Sequence, residues 1–319
     1  MKICVLHSRI RLEEKMLLAE LDRRKIDYGL VHVERTPFRL EDGGPPEPWA
    51  QYDAVLERCI SHSQALEAMR ILESWGIPCV NHAHVGEICG DKLATNLALN
   101  AAGVPMPRAR VAFGFESAIE AIEELGYPCV LKPAAGSWGR LIARINDRDA
   151  AEALIEHKQI LGTYHHSTFY VQEHIDKPGR DLRGFVVGDE VICAIQRASD
   201  HWITNTARGA STESFPVTDE LRDLSMAAAK AVGGGIVAVD LLETQDGRML
   251  VNEVNYTMEF KNSVAPTGVD IPAKIIDYLV DVAEGKVVTP SRRAAGVFAP
   301  INPAANPAGS TQPATGGAQ

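Results

Sequence analysis

GIVAVDLLETQDGRMLVNEVNYTMEFKNS, residues 235–263, holds two β-branched apolar runs separated by Asp246-Gly247. That dipeptide is a strong signal for a two-residue hairpin with both turn residues at positive φ. A turn there sets Gln245 against Arg248 and Thr244 against Met249, and counting outward brings Asp240 opposite Glu253. Strand side chains alternate, so Asn255 shares a face with Glu253. Three oxygen donors converge, with Leu242 and Val251 beside them to exclude water. Because the set holds no Cys or His, it suits Mg²⁺ or Mn²⁺ rather than Zn²⁺. A solvated acid pair is the plain alternative. Against it, carboxylates directly opposed across antiparallel strands repel unless a cation or proton lies between them.

Working outward, 319 residues exceed what a single core usually serves, so two or three packed domains are expected. The formal charge of −10 argues against a nucleic-acid binder. An anionic substrate would then need a local positive pocket. The six cysteines (Cys4, Cys59, Cys79, Cys89, Cys129, Cys193) sit in apolar runs with no CxxC, which reads as buried free thiols in a reducing compartment. The start is too brief for a signal peptide, and no apolar run reaches membrane-spanning length. A cytoplasmic location away from membranes is expected.

The fold class expected is α/β with α+β character. KICVLH, LEEKMLLAELDRRK and YGLVHVE, then DAVLERC, SQALEAMRILESWG and IPCVN, give an N-terminal α/β domain over 1–85, joined internally by the GGPPEP loop. Residues 86–171 read as a central unit of two helices over a small antiparallel sheet, and 172–287 as a C-terminal antiparallel-sheet unit closed by the helix IPAKIIDYLVDVAEG. From 288 the chain turns to Ala, Pro, Gly and Thr without an acid, a composition expected to stay disordered.

Other stretches carry candidate chemistry. VLKPAAGSWGR (130–140) is a strand ending in Lys132 and a small-residue loop: either a phosphate cradle that is not a Walker A loop, or an ordinary hairpin connection. Lys92 sits at a helix start, against the dipole's preference for anions there. The strand end at Gln172, Glu173 and Ile175 could hydrogen-bond a base through its backbone, with Asp181 and Arg183 further round, or could be a plain two-strand connection. Arg197, Asn205 and Arg208 fall in a polar segment that by itself reads as a loop. Arg9 and Arg11 follow the first strand, where α/β sheets place ligands; a solvated basic loop is the even alternative.

The order Lys92, KPAAGSWGR, QEHI, DLRGFVVG, Arg197, NTARG, Asp240, NEVN resembles the ATP-grasp superfamily over residues 1–286, and GSWGR, NTARG and NEVNYTMEFKNS resemble its RimK-like branch, most of all the LysX ligases of lysine biosynthesis. The resemblance implies an ATP-dependent ligase with an N-terminal pre-ATP-grasp domain. It would join the amino group of α-aminoadipate to the terminal glutamate side chain of a small acidic carrier of LysW type. Carried over residue by residue, it assigns ATP phosphates to Lys92, Lys132, Gly136, Ser137, Trp138, Gly139 and Arg140, and adenine to Gln172, Glu173, His174 and Ile175, with Asp181, Arg183 and Asn205 completing the nucleotide site. Two Mg²⁺ (or Mn²⁺) would go to Asp240, Glu253 and Asn255, and substrate to Arg197, Thr206, Ala207, Glu259, Phe260, Lys261, Asn262 and Ser263. Lys132 and Arg197 would be catalytic. Arg197 and Lys261 would meet the substrate carboxylates, and Arg9, Arg11, Arg140, Arg180 and Arg208 would form a positive mouth for the carrier. A homo-oligomer, specifically a tetramer, is what the resemblance suggests. Alternatives are the same reaction on glutamate, a bifunctional enzyme, glutamate addition to another protein, and a non-catalytic nucleotide-binding module.

Overall fold

The structure is a computed structural model that describes residues 1–40, 44–134, 141–161, 168–204 and 209–287. The expected tail lies outside the described residues. The chain opens with β1 (Lys2–His7), α1 (Leu12–Arg24), β2 (Asp27–His32), β3 (Ala54–Arg58), α2 (His62–Ser74) and β4 (Cys79–Val80). The strands form a parallel sheet in the order β2-β1-β3-β4. Parallel strands are covered on both faces, which is why Ile3, Cys4, Val5 and Leu6 run as four consecutive buried apolar residues rather than alternating. α3 (Ala83–Cys89) and α4 (Lys92–Ala101) follow, and the Asp91 carboxylate caps α4 by accepting from the N–H groups of Leu93 (2.7 Å) and Ala94 (3.0 Å).

The central sheet, in the order β5-β8-β6-β7, uses β5 (Ala109–Ala112), β6 (Cys129–Lys132), β7 (Ala143–Ile145) and β8 (Phe169–Glu173), with α5 (Phe115–Leu125) and α6 (Arg148–Leu161) packed on it through Ile119, Ile122 and Ile155. This is the expected two-helix cover. In the loop from β6 to β7, Gly136, Ser137, Trp138, Gly139 and Arg140 lie outside the described residues.

The C-terminal sheet, β11-β10-β9-β12-β13, is antiparallel and built from β9 (Arg180–Val187), β10 (Glu190–Ala198), β11 (Ser211–Phe215), β12 (Ile236–Glu243) and β13 (Met249–Asn255). Arg197 is in β10. The edge strand β11, STESF, went unpredicted because its polar composition carries no apolar alternation. One face packs on α7 (Asp219–Ala231) through Leu182, Val186, Val239 and Leu241. The other face is divided. Phe185, Val187, Ile195, Ile236 and Ala238 join α9 (Ile271–Ala283) and the N-terminal residues Ile3, Val5 and Leu17 in one core. Beyond that core the same face carries Asp181, Arg183, Arg197, Asp240, Glu253 and Asn255.

The β12–β13 hairpin corrects the expected turn. Gly247 N–H donates to the Thr244 carbonyl (2.9 Å) and Thr244 N–H to that of Arg248 (2.9 Å), so three residues, Gln245 to Gly247, make the turn. Only Gly247 takes a positive φ (85°); Asp246 does not. This is the three-residue arrangement that closes with a left-handed glycine. Pairing is therefore one residue off expectation, with Leu242 on Leu250 and Leu241 on Val251. A bulge at Asn252 then restores Asp240 opposite Glu253. The two displacements cancel at the acids. They do not cancel for Val251, which packs with Leu241 and Val239 in the α7 core instead of beside the acids.

Candidate active site

A pocket opens where the end of the central sheet meets the charged half of the C-terminal one. β6 ends on Lys132, a residue held between β8 and β7 by an apolar strand and only 9% exposed. Its Nζ donates to Asn252 Oδ1 at 2.9 Å. Burial, with help from the charges of Lys92 and Lys177 and against those of Glu253 and Asp240, pulls its pKa down to about 8.

Across the pocket, charges alternate in sign along and between strands. Arg197 faces Asp181 across β9–β10, and Asp240 faces Arg183 on one side and Glu253 on the other. Arg183 grips Asp240 bidentately at 2.6 and 2.9 Å, while Arg197 reaches Asp181 at 2.8 Å and Asp240 at 3.3 Å. Burial pushes the Asp240 carboxyl up, but Arg183 and Arg197 overcome it and hold the group down at about 2. Burial likewise opposes the Arg197 charge, and Asp240 and Asp181 more than restore it, raising its pKa. Two guanidiniums thus already balance the charge of Asp240. Asn255 remains on that face, its Nδ2 3.5 Å from Asp240 Oδ2.

Two carboxylates and an amide oxygen on one face are a donor set that fits a hard divalent cation, with Asp240 ionised throughout the physiological range. Among the described residues no group of three His, Cys, Asp or Glu side chains forms a metal cluster, as expected of a set with only two acids.

The hinge residues Gln172, Glu173, His174 and Ile175 line the pocket, as does Asp181. Glu173 N–H is committed to the Arg108 carbonyl (2.9 Å), and its carboxylate takes the Arg108 N–H and Nε, both at 2.7 Å, so it braces the hinge. Lys92 sits outside the lining. Its N–H donates to the Ala134 carbonyl (2.9 Å), tying α4 to the chain leaving β6. Asn205, Thr206, Ala207 and Arg208 lie outside the described residues.

The substrate set is dispersed. Glu259 pairs with Arg11 (3.2 Å), and Lys261 and Asn262 are exposed. Ser263 is buried, its N–H on the Phe260 carbonyl (2.8 Å), just before α8 (Val264–Thr267). Phe260 is fully buried in the core with Ile3 and Leu17, which corrects the expectation that its side chain meets substrate. Arg11 also pairs with Glu14 (2.9 Å), and Arg180 with Glu243 (2.8 Å), so two of the expected mouth cations have acid partners.

Sequence reasoning missed Lys177, Trp202, Thr204 and Asn252 as pocket residues. Lys177 Nζ donates to Thr204 Oγ1 at 2.7 Å, and Thr204 in turn donates to Asp181. The Trp202 ring carries the Arg144 guanidinium 5.8 Å from its centroid and lies 6.0 Å from the His174 ring. A lysine in a polar turn and a tryptophan between loops have no periodicity to distinguish them, and Asn252 depends on the bulge.

A LysX pre-ATP-grasp domain family matches residues 3–88, and a RimK-like ATP-grasp domain family matches residues 89–279. A glutamate–LysW ligase ArgX from Sulfurisphaera tokodaii is 30% identical over 281 residues, covering 88% of this chain and 98% of that protein. An α-aminoadipate–LysW ligase LysX from Sulfolobus acidocaldarius is 33% identical over 272 residues, covering 85% and 98%. A crystal structure of a RimK domain protein, ATP-grasp, from Sphaerobacter thermophilus superposes with a TM-score of 0.74 at 29% identity, covering 88% of this chain and all of that one.

Proposed function

The chain belongs to the RimK-like ATP-grasp family of ligases, and we propose that it joins the amino group of α-aminoadipate to the C-terminal glutamate side chain of a LysW-type carrier at the expense of ATP. The observation that carries this reading is the pairing of a LysX-type N-terminal domain with a pocket whose one wall offers an ammonium that has no acid partner among the described residues and whose other wall offers ordered carboxylates. The same reaction on glutamate is the second reading, favoured by the 30% identity to a glutamate–LysW ligase. The two substrates differ by one methylene, which a binding site separates by only about 1–3 kcal/mol.

A carboxylate is a poor electrophile. In this reading the carrier glutamate attacks the γ-phosphorus of ATP, ADP leaves, and the acyl phosphate then takes the amine, which gives up a proton as phosphate departs. Lys132 meets phosphate charge as it develops, and the hinge at 172–175 holds the base. Asp181 and Arg183 keep Arg197 and Asp240 in register. Lys92 and the 136–140 loop complete the phosphate side, and Asn205, Thr206, Ala207, Glu259, Lys261, Asn262 and Ser263 the acceptor side. Asp240, Glu253 and Asn255 would hold one or two Mg²⁺, whose chemistry is to neutralise phosphate oxygens. The small acidic carrier, a cytoplasmic setting consistent with free cysteines, and a homo-oligomer complete the proposal.

The test is incubation with ATP, Mg²⁺, a LysW-type carrier and either amino acid, read by intact mass of the carrier. A gain equal to α-aminoadipate less water supports the first reading, and a gain equal to glutamate less water the second. ATP turnover independent of both acceptors would defeat both.

A further inference from the structure

Asn252 is the residue the hairpin leaves over. Leu241 faces Val251 and Asp240 faces Glu253, so nothing on β12 stands opposite it. Side chains along a regular strand alternate, yet Asn252 and Glu253, consecutive in sequence, both line the pocket. Re-aiming a side chain in this way is what a bulge does. The re-aimed amide meets Lys132 Nζ at 2.9 Å, a bond that spans from the C-terminal sheet to the central one. Among the described residues no carboxylate lies within ion-pair distance of Lys132, whereas Arg197 in the same pocket has two.

We infer that Asn252 is a positioning residue for Lys132: a neutral acceptor, delivered by the bulge, that fixes the ammonium without cancelling its charge. The inference rests on the reading above only in that nucleotide phosphates meet Lys132. A lysine is a point charge on a flexible four-carbon stem, so its position must come from elsewhere. An aspartate at 252 would make the same bond but neutralise the cation. An aliphatic residue would leave the ammonium unheld.

The experiment is a double-mutant cycle on the full chain, with the affinity for a non-hydrolysable ATP analogue and Mg²⁺ measured by calorimetry for Lys132→Met, Asn252→Ala and the double variant. Asn252→Ala is expected to weaken binding about tenfold alone and to add no further loss in the Lys132→Met background, since residues acting through one another are not additive. Asn252→Asp weakens binding more than Asn252→Ala. Asn252→Ser, too short to span to Nζ, repeats the measurement if the alanine variant fails to fold. Additive losses, or unchanged affinity in Asn252→Ala and Asn252→Ser, overturn the inference. A coupled cycle in an enzyme that makes no carrier product sinks the substrate reading and leaves the inference standing.

Discussion

The two walls of the pocket bury cations on opposite terms. On the central-sheet wall, Lys132 has a neutral amide for a partner, and burial drags its pKa down to about 8. On the C-terminal wall, Arg197 lies between Asp181 and Asp240, and their charges overcome a comparable burial to raise its pKa. A buried charge without an acid partner is costly to fold and attractive to an anion; one inside a network is held in place and has less to offer a ligand. The contrast sets a cation on a neutral partner against one held by two carboxylates, and both were expected to be catalytic.

Removing the acid from the framework should have the largest effect. Asp240→Asn strips the bidentate partner from Arg183 and one of two acids from Arg197, and breaking a buried pair costs about 3–5 kcal/mol. Urea unfolding of this variant should therefore show a large fall in midpoint. Lys132→Met, by contrast, should leave the midpoint unchanged or raised while lowering kcat by about 10²–10³, the usual cost of one electrostatic donor. Equal destabilisation in the two variants would erase the distinction between the walls.

Titration sharpens it further. The folded pKa of Lys132 lies below its ordinary 10.5, so the folded protein binds fewer protons than the unfolded chain between about 8 and 10.5. Stability from this group is fully present above that window and is lost as pH falls through about 8. Asp240 is depressed from 3.8 to about 2, so its contribution is present above 3.8 and lost only as pH falls through about 2. Phosphate affinity should run the other way for Lys132, weakening as pH rises through 8, with that limb displaced upward in Lys132→Arg. A nucleotide affinity flat from pH 7 to 9 would mean that Lys132 does not face phosphate.

Much of the frame was legible because it rests on periodicity and chain order. KICVLH reads as the strand it forms, and IPAKIIDYLVDVAEG as the helix α9. Asp240 and Glu253 were found because the hairpin counts outward from Gly247. What escaped was set by tertiary context. The partners of Asp240 come from β9 and β10, whose alignment no local pattern states, and the burial of Phe260 depends on the N-terminal core arriving over it. Asn252 was hidden by the bulge, since one inserted residue exchanges the faces of everything beyond it.

The smallest effect tests that cancellation at its origin. A Cβ at Gly247 meets nothing within 4 Å, so Gly247→Ala should cost only the left-handed backbone, about 1–2 kcal/mol. Both a two-residue and a three-residue turn need a positive φ there, so this substitution alone does not choose between them. Asp246 does. In a two-residue turn it would need positive φ, and Asp246→Gly would raise the melting temperature. In the observed turn it has ordinary φ and accepts from Thr244, so the same change lowers it by adding freedom to the unfolded chain and removing an acceptor. A rise in melting temperature for Asp246→Gly would put the turn back where the sequence first suggested, remove the need for a bulge at Asn252, and with it the tether that makes the central-sheet wall different from the other.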